Sequence, residues 1–347
     1  MPRAAINISE GTWGGHLIEG CDVFETVLET GDHGSFNAWG RDRYWGLEQV
    51  PAGALAKLAL LDAVEPVVLR NNRWRCDHGW DVDLDDGSSH YLIYNNLLLN
   101  GGLKFREGFH RTATNNVIVG NSFHPHAWYA NCGDVFARNI IMGPYQPAVM
   151  NVAKWGAELD HNLFTTSDAD RLRFAAKGCD AHSLVGDAQF IDAAKGDFRV
   201  KPGSPALKLG FVNFPMDHYG VRSPRLRAIA KTPEIPAVVT ASNPQPEAVQ
   251  TLWLGATLRG LKGQEYSALG VASDASGVFF AEVPPESVAF KMGLRAGDFV
   301  QQADGVPVRR VEEFLAATQG TNSPHKTKLQ LIRNSHPMNI EVNAPPK

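Results

Sequence analysis

Cysteine is scarce in this chain of 347 residues: Cys21, Cys76, Cys132 and Cys179 lie far apart, with no Cys-x-x-Cys pair. That excludes a zinc knuckle and a dense disulfide framework, and leaves the four as small buried apolar side chains. No apolar run approaches the ~20 residues needed to cross a bilayer, and the opening Met1-Pro2-Arg3-Ala4-Ala5 lacks the apolar core of a signal peptide. Basic excess is missing too, since 33 Lys and Arg face 37 Asp and Glu. A nucleic-acid partner held through phosphates is therefore disfavoured, because it needs clustered cations. No Gly-x-Ser-x-Gly nucleophile motif occurs.

What is present is enough apolar material, 44% of residues, for one large or two medium domains, each with its own core. Proline recurs from Thr232-Pro233-Glu234-Ile235-Pro236 to Asn243-Pro244-Gln245-Pro246, where apolar periodicity stops. Residues 232–248 read as a linker, giving a first domain over 1–231 and a second over 249–347. From Thr240 onward five Lys and five Arg balance three Asp and seven Glu, so the net charge of -4 belongs to the first domain.

Helix periodicity is rare in that domain, and short apolar runs recur after an asparagine at positions 72, 96, 116, 139 and 162. A repeat this short cannot bury its own apolar face and must stack on its neighbours. Strand-rich coils of this size form a parallel β-helix, with the asparagines at internal corners in hydrogen-bonded ladders. The predicted fold class is mostly β: a right-handed parallel β-helix followed by a small α+β domain. The first coil already reads as mid-solenoid at Asn7-Ile8 and Gly20-Cys21-Asp22, so an N-terminal truncation is expected, with a periplasmic or secreted full-length protein.

Chemistry concentrates in Trp80-Asp81-Val82-Asp83-Leu84-Asp85-Asp86. Period-two alternation sends Val82 and Leu84 to one face and Asp81, Asp83 and Asp85 to the other. Like charges crowded on one strip are unfavourable unless the strip is used. Taking Asp22 as the counterpart of Asn72 brings Asp32 and His33 beside that strand. The following rungs add Lys104, Arg106 and Glu107, then His124, His126 and Trp128. A long insertion from about Gly40 to Glu65 enters through Trp39, Arg41, Asp42, Arg43 and Trp45. Aromatic faces among charged groups suit a pyranose. His124 and His126 share a strand side without a third ligand in the sequence, so no metal site is expected there.

The chain resembles right-handed β-helix proteins of the pectin-lyase-like group over about residues 3–215, including the closing Ala188-Gln189-Phe190-Ile191-Asp192 and Gly196-Asp197-Phe198-Arg199-Val200. Its segments Glu29-Thr30-Gly31-Asp32-His33-Gly34, Trp39-Gly40-Arg41-Asp42-Arg43 and Asp83-Leu84-Asp85-Asp86-Gly87-Ser88-Ser89 resemble glycoside hydrolase family 141. That resemblance implies α-L-fucosidase- or xylanase-like hydrolysis of a polysaccharide or oligosaccharide by two aspartates, without a cofactor. Asp32, Asp42, Asp83 and Asp85 are the candidates. Asp32 with Asp83 on adjacent rungs would lie roughly 5 Å apart, and Asp83 with Asp85 on one strand roughly 6.6 Å. The first pair is favoured, with His33, Trp39, Arg41, Arg43, Trp45, Trp80, Lys104, Arg106, Glu107, His124, His126 and Trp128 around the substrate. Alternatives are a polysaccharide lyase using Ca²⁺ and a Lys104 or Arg106 base, and a non-catalytic glycan-binding scaffold.

The segment Ala289-Phe290-Lys291-Met292-Gly293-Leu294-Arg295-Ala296-Gly297-Asp298-Phe299-Val300, with Asp304-Gly305-Val306-Pro307-Val308, closely resembles a bacterial PDZ domain. This implies capture of a peptide C-terminus by strand addition at Trp253, Leu254, Gly255 and Ala256.

Overall fold

The structure is a computed structural model that describes residues 1–9, 13–40, 54–238, 251–262, 265–272, 275–318, 325–334 and 336–344. The chain divides into two compact units, one of Met1–Pro147 with Val152–Asn243, the other of Ala148–Asn151 with Pro244–Lys347.

The first unit is a parallel β-solenoid, with sheets of five, six and seven strands running along it. The first sheet stacks Ile6–Ile8, Gly34–Ala38, Trp80–Leu84, Leu103–Phe105 and Phe123–Pro125. Its register aligns Phe36, Val82, Leu103 and Phe123, and two residues on Ala38, Leu84, Phe105 and Pro125. These two columns point inward, and the aromatic and aliphatic members bury completely. Edge-on rings such as Phe105 and Phe123, 5.4 Å apart, interlock the rungs.

The asparagine corner forms as expected. Asn72, Asn96, Asn116 and Asn139 each donate from Nδ2 to the next Asn Oδ1 at 3.0–3.2 Å. The same Oδ1 atoms accept the backbone N–H of the preceding asparagine. The ladder runs out at Ser183, whose hydroxyl accepts from the Asn162 N–H at 2.8 Å. Just before the ladder positions, Asn71, Asn95, Asn115, Arg138 and His161 take left-handed backbone conformations. The apolar triplets that follow are explained by the third sheet, whose central strands are buried on both faces. Leu97, Val117, Ile140 and Leu163 pack under Phe198, Val200, Phe211 and Phe214 of the chain that returns after the last rung.

That covering segment reaches further than expected. Ile235 and Val238 pack against the same cluster, and the Glu234 carbonyl accepts from Arg75 Nη1 at 2.6 Å. The start of the stretch 232–248 thus belongs to the solenoid surface.

The second unit has an antiparallel sheet in the order Thr251–Trp253, Ala256–Arg259, Val278–Glu282, Phe299–Ala303, His325–Arg333 and His336–Ala344, with Val306–Pro307 paired to Phe299–Ala303. The helix Val311–Thr318 brings Phe314 into its core, where Trp253, Phe280, Leu294, Val300 and Leu331 are buried.

Candidate functional site

The three solenoid faces differ. The third is covered by apolar chain, whereas the outward side of the first sheet carries a buried polar cluster. In register, Asn37, Asp83, Lys104 and His124 form one outward column. The strands continue past their ends, Asp85 N–H donating to Ala38 O, Arg106 to Leu84 O and His126 to Phe105 O. Trp39, Asp85, Arg106 and His126 therefore follow as a second column.

Lys104 Nζ lies 3.1 Å from Asp83 Oδ1 and 3.2 Å from Asp85 Oδ1. The same ammonium sits 4.0 Å over the Trp80 ring, a desolvated cation–π contact. Arg106 bridges Asp85 at 3.6 Å, Asp86 at 3.2 Å and Glu107 at 2.7 Å. Beyond Trp80, the His124 and His126 rings lie 6.3 and 6.2 Å from the indole, and 5.6 Å from each other.

Position splits the two aspartates. Burial pushes Asp83 up to about 8, with Asp85 and Asp32 reinforcing the rise and Lys104 opposing it. Burial also disfavours ionised Asp85, yet Lys104 and Arg106 outweigh it and hold that carboxyl below its ordinary value. Lys104 is desolvated as well, but its two carboxylates keep it protonated more firmly than usual. Burial lowers His124 to about 4 and His126 well below its ordinary value, so both imidazoles are neutral. Among the described residues of this cluster, four buried side-chain nitrogens lack a hydrogen bond, Trp80 Nε1, His124 Nδ1 and both nitrogens of His126, whereas Asp83 Oδ1 and Asp85 Oδ1 meet the Lys104 ammonium. Buried polar atoms are normally satisfied, so these four nitrogens stand out.

Several expected members lie elsewhere. Asp83 is paired with Asn37, not with Asp32. The error starts one residue earlier, since Asp22 pairs with Arg73 and the Cys21 N–H, not Asp22, joins the Asn72 end of the ladder. The turn before Gly34 is also longer than the one before Trp80, which moves Asp32 into an exposed loop. From there it still acts on Asp83 and Lys104 through its charge. His33 is tied to Arg3 at 2.6 Å and to Thr30 at 3.0 Å. The Trp80 N–H donates to His33 O, and a Cβ on Gly79 would stand 2.0 Å from that same oxygen.

Asp81 leaves the strip because the Asp81 and Val82 N–H groups both donate to Gly102 O, interrupting the alternation. Its carboxyl accepts from the backbone of Cys76, Asn100 and Gly102. Trp128 belongs to the core, donating to Phe105 O at 2.8 Å and packing on Phe123. Glu107 is partly buried beside Arg106, and Trp39, in the second column, is half-buried. Arg41, Asp42, Arg43 and Trp45 lie outside the described residues. Asn37 was missed, although the triplets Phe36-Asn37-Ala38, Val82-Asp83-Leu84 and Leu103-Lys104-Phe105 share an apolar–polar–apolar pattern that would have aligned it.

In the second unit, Trp253 and Ala256 close a hairpin whose two-residue turn, Leu254 and Gly255, has φ of 49° and 81°, the twist-matched geometry of a tight hairpin. Trp253 is buried, 5.0 Å from Phe314 and 6.0 Å from Phe280. Ala256–Arg259 is flanked on both sides, by Thr251–Trp253 and by Val278–Glu282. The expected peptide-accepting strand therefore has its edges filled by its own chain.

No protein-family model matches the chain. It is similar to the periplasmic pH-dependent serine endoprotease DegQ of Escherichia coli (strain K12), 36% identical over 89 residues that make up 24% of this chain and 20% of that protein. The chain thus spans about a fifth of that relative's length. The match is compatible with a PDZ domain, and a β-helix fold fits carbohydrate-active enzymes generally.

Proposed function

We propose that the solenoid is a glycoside hydrolase acting on a plant or algal polysaccharide or its oligosaccharides, with Asp83 as general acid and Asp85 as base or nucleophile. One observation carries this reading: two carboxyl groups on one strand share the Lys104 ammonium while their protonation is driven in opposite directions. Glycoside cleavage needs one protonated and one ionised carboxyl group. The pair replaces Asp32 with Asp83, because Asn37 occupies the position beside Asp83. Trp80, His124 and His126 are buried around the pair and keep its surroundings poor in water.

The lyase alternative is less well supported. Lys104 is held protonated beside Asp83 and ionised Asp85, which makes it a poor base, and a Ca²⁺ would have to displace that ammonium. For the C-terminal unit we propose a PDZ-type docking module. A peptide carboxylate would reach Ala256–Arg259 once Thr251–Trp253 withdraws. A glycan substrate fits work in the periplasm or outside a bacterial cell.

The test is a screen of fucosylated and xylan-type glycans for new reducing ends, with wild type beside Asp83→Asn and Asp85→Asn. Cleavage by wild type alone supports the proposal. An unsaturated, ultraviolet-absorbing product would establish the lyase instead, and binding without cleavage would establish a scaffold.

A further inference from the structure

A second cluster lies on a different face, where the ladder ends. Asp160 closes the strand Glu158–Asp160 of the second sheet, His161 follows it, and His182 precedes the strand Leu184–Val185 one rung on. One potential ligand atom from each of Asp160, His161 and His182 lies within 4.8 Å of the others. From sequence these residues carried no signal, because His182 is a full rung away from its partners.

The geometry points to a site for a divalent transition cation of the zinc class, held by Asp160, His161 and His182. Asp160 is already fixed in place. Its Oδ1 accepts the backbone N–H of His161 at 2.8 Å and of His182 at 2.7 Å, and its Oδ2 lies 2.6 Å from His182 Nδ1. The His161 ring is set by a backbone φ of 59°. Its Nδ1 is shielded from solvent without a hydrogen bond, and faces Glu158 Oε1 at 3.3 Å. Ligands around a tetrahedral zinc ion stand about 3.3 Å apart, given bonds near 2.0 Å. The two imidazoles stack at 5.3 Å, 14° from parallel, and His182, with its side chain 71% exposed, has the freedom to swing its ring inward.

Two imidazoles and a carboxylate suit Zn²⁺, Co²⁺ or Ni²⁺ rather than Ca²⁺ or Mg²⁺, which take oxygen ligands. Three protein donors drawn from two successive rungs would let the ion fasten those rungs together, with water in the fourth position. It would act where the asparagine ladder has given way to Ser183.

The experiment is calorimetric titration of the untagged, metal-stripped full chain with ZnCl₂ at pH 7.5, with CaCl₂ as comparison. One zinc per chain is expected, with no calcium uptake at this site. His161→Asn, which tolerates the left-handed conformation, and His182→Asn should each weaken binding by about 100-fold or more. His218→Asn, at an exposed histidine outside the cluster, should leave it unchanged. Circular dichroism of each variant separates lost ligation from lost fold. Absence of zinc binding by folded wild type overturns the proposal. So does binding that survives in either folded cluster variant, because the ion would then be held elsewhere or without one of the named ligands.

Discussion

Exchanging Asp83 for Asn removes a proton donor while keeping the shape of the protonated carboxyl group. With Asp83 pushed up to about 8 and Asp85 held below its ordinary value, the active form has Asp83 protonated and Asp85 ionised. Wild-type kcat/KM should rise as pH climbs through the depressed Asp85 transition and stay level across neutrality. It should then fall about tenfold per pH unit above about 8. General acid catalysis contributes about 10²–10⁴-fold, so Asp83→Asn should cost that much in kcat on a natural glycan. An aryl glycoside, whose leaving group departs with little protonation, should lose less than about tenfold. Asp85→Asn should suppress both substrates, and in Asp83→Asn the alkaline limb should disappear. Linkage supplies a second readout. A carboxyl raised in the folded state contributes its stability at low pH and loses it as pH rises from the ordinary 3.8 towards 8. The Asn variant should show a shallower decline in urea titrations, what remains coming from Asp81, which burial also pushes up to about 8. Equal slowing of both substrates, or an alkaline limb that persists in Asp83→Asn, would refute the assignment.

Asn116→Ala removes a side chain that donates to Ile93 O, Thr114 O and Asn139 Oδ1 and accepts from two nitrogens of Asn96. A loss of about 3 kcal/mol is expected in chemical unfolding, and less than 1 would deny the ladder a stabilising role. Asp134→Ala strands the buried Arg111 guanidinium, whose Nη2 lies 2.5 Å from Asp134 Oδ2, and should cost about 3–5 kcal/mol by the same measurement. In the second unit, Trp253→Ala vacates the contacts with Phe280 and Phe314. It should destabilise that unit by about 3–5 kcal/mol while raising its affinity for peptides with a free C-terminus, measured by fluorescence polarisation. Unchanged affinity in a folded variant would show that the hairpin does not guard the strand edge.

The repeat was legible because one residue type, asparagine, does one job per rung, and ladder hydrogen bonding demands that it recur. Strand columns followed wherever apolar and polar residues alternate, which placed Asp83, Asp85, Lys104, His124 and His126 together. Register between rungs was not legible at Asp32, because turns of unequal length separate the ladder corner from the first sheet. Alternation failed at Asp81 because two N–H groups share one carbonyl. Trp128 reads as a surface aromatic, yet its N–H meets the Phe105 carbonyl inside the solenoid. The hairpin ahead of Ala256 escaped notice because both turn residues adopt positive φ, and only Gly255 advertises that in sequence.

The ladder corner has a consequence for how this chain can change. Successive rungs are 24, 20, 23 and 23 residues apart along the ladder, yet the corner itself repeats without variation. All differences in rung length are taken up away from it. Between the strands Gly34–Ala38 and Val67–Arg70 the chain carries far more residues than between Trp80–Leu84 and Tyr91–Tyr94, and the strands on either side still pair in register. One side of the solenoid thus acts as a hinge pin and the other as a margin open to insertion. That margin borders the sheet bearing Asp83 and Asp85, so loops there can be lengthened or exchanged to suit a new substrate while the strand holding both carboxyl groups stays where it is.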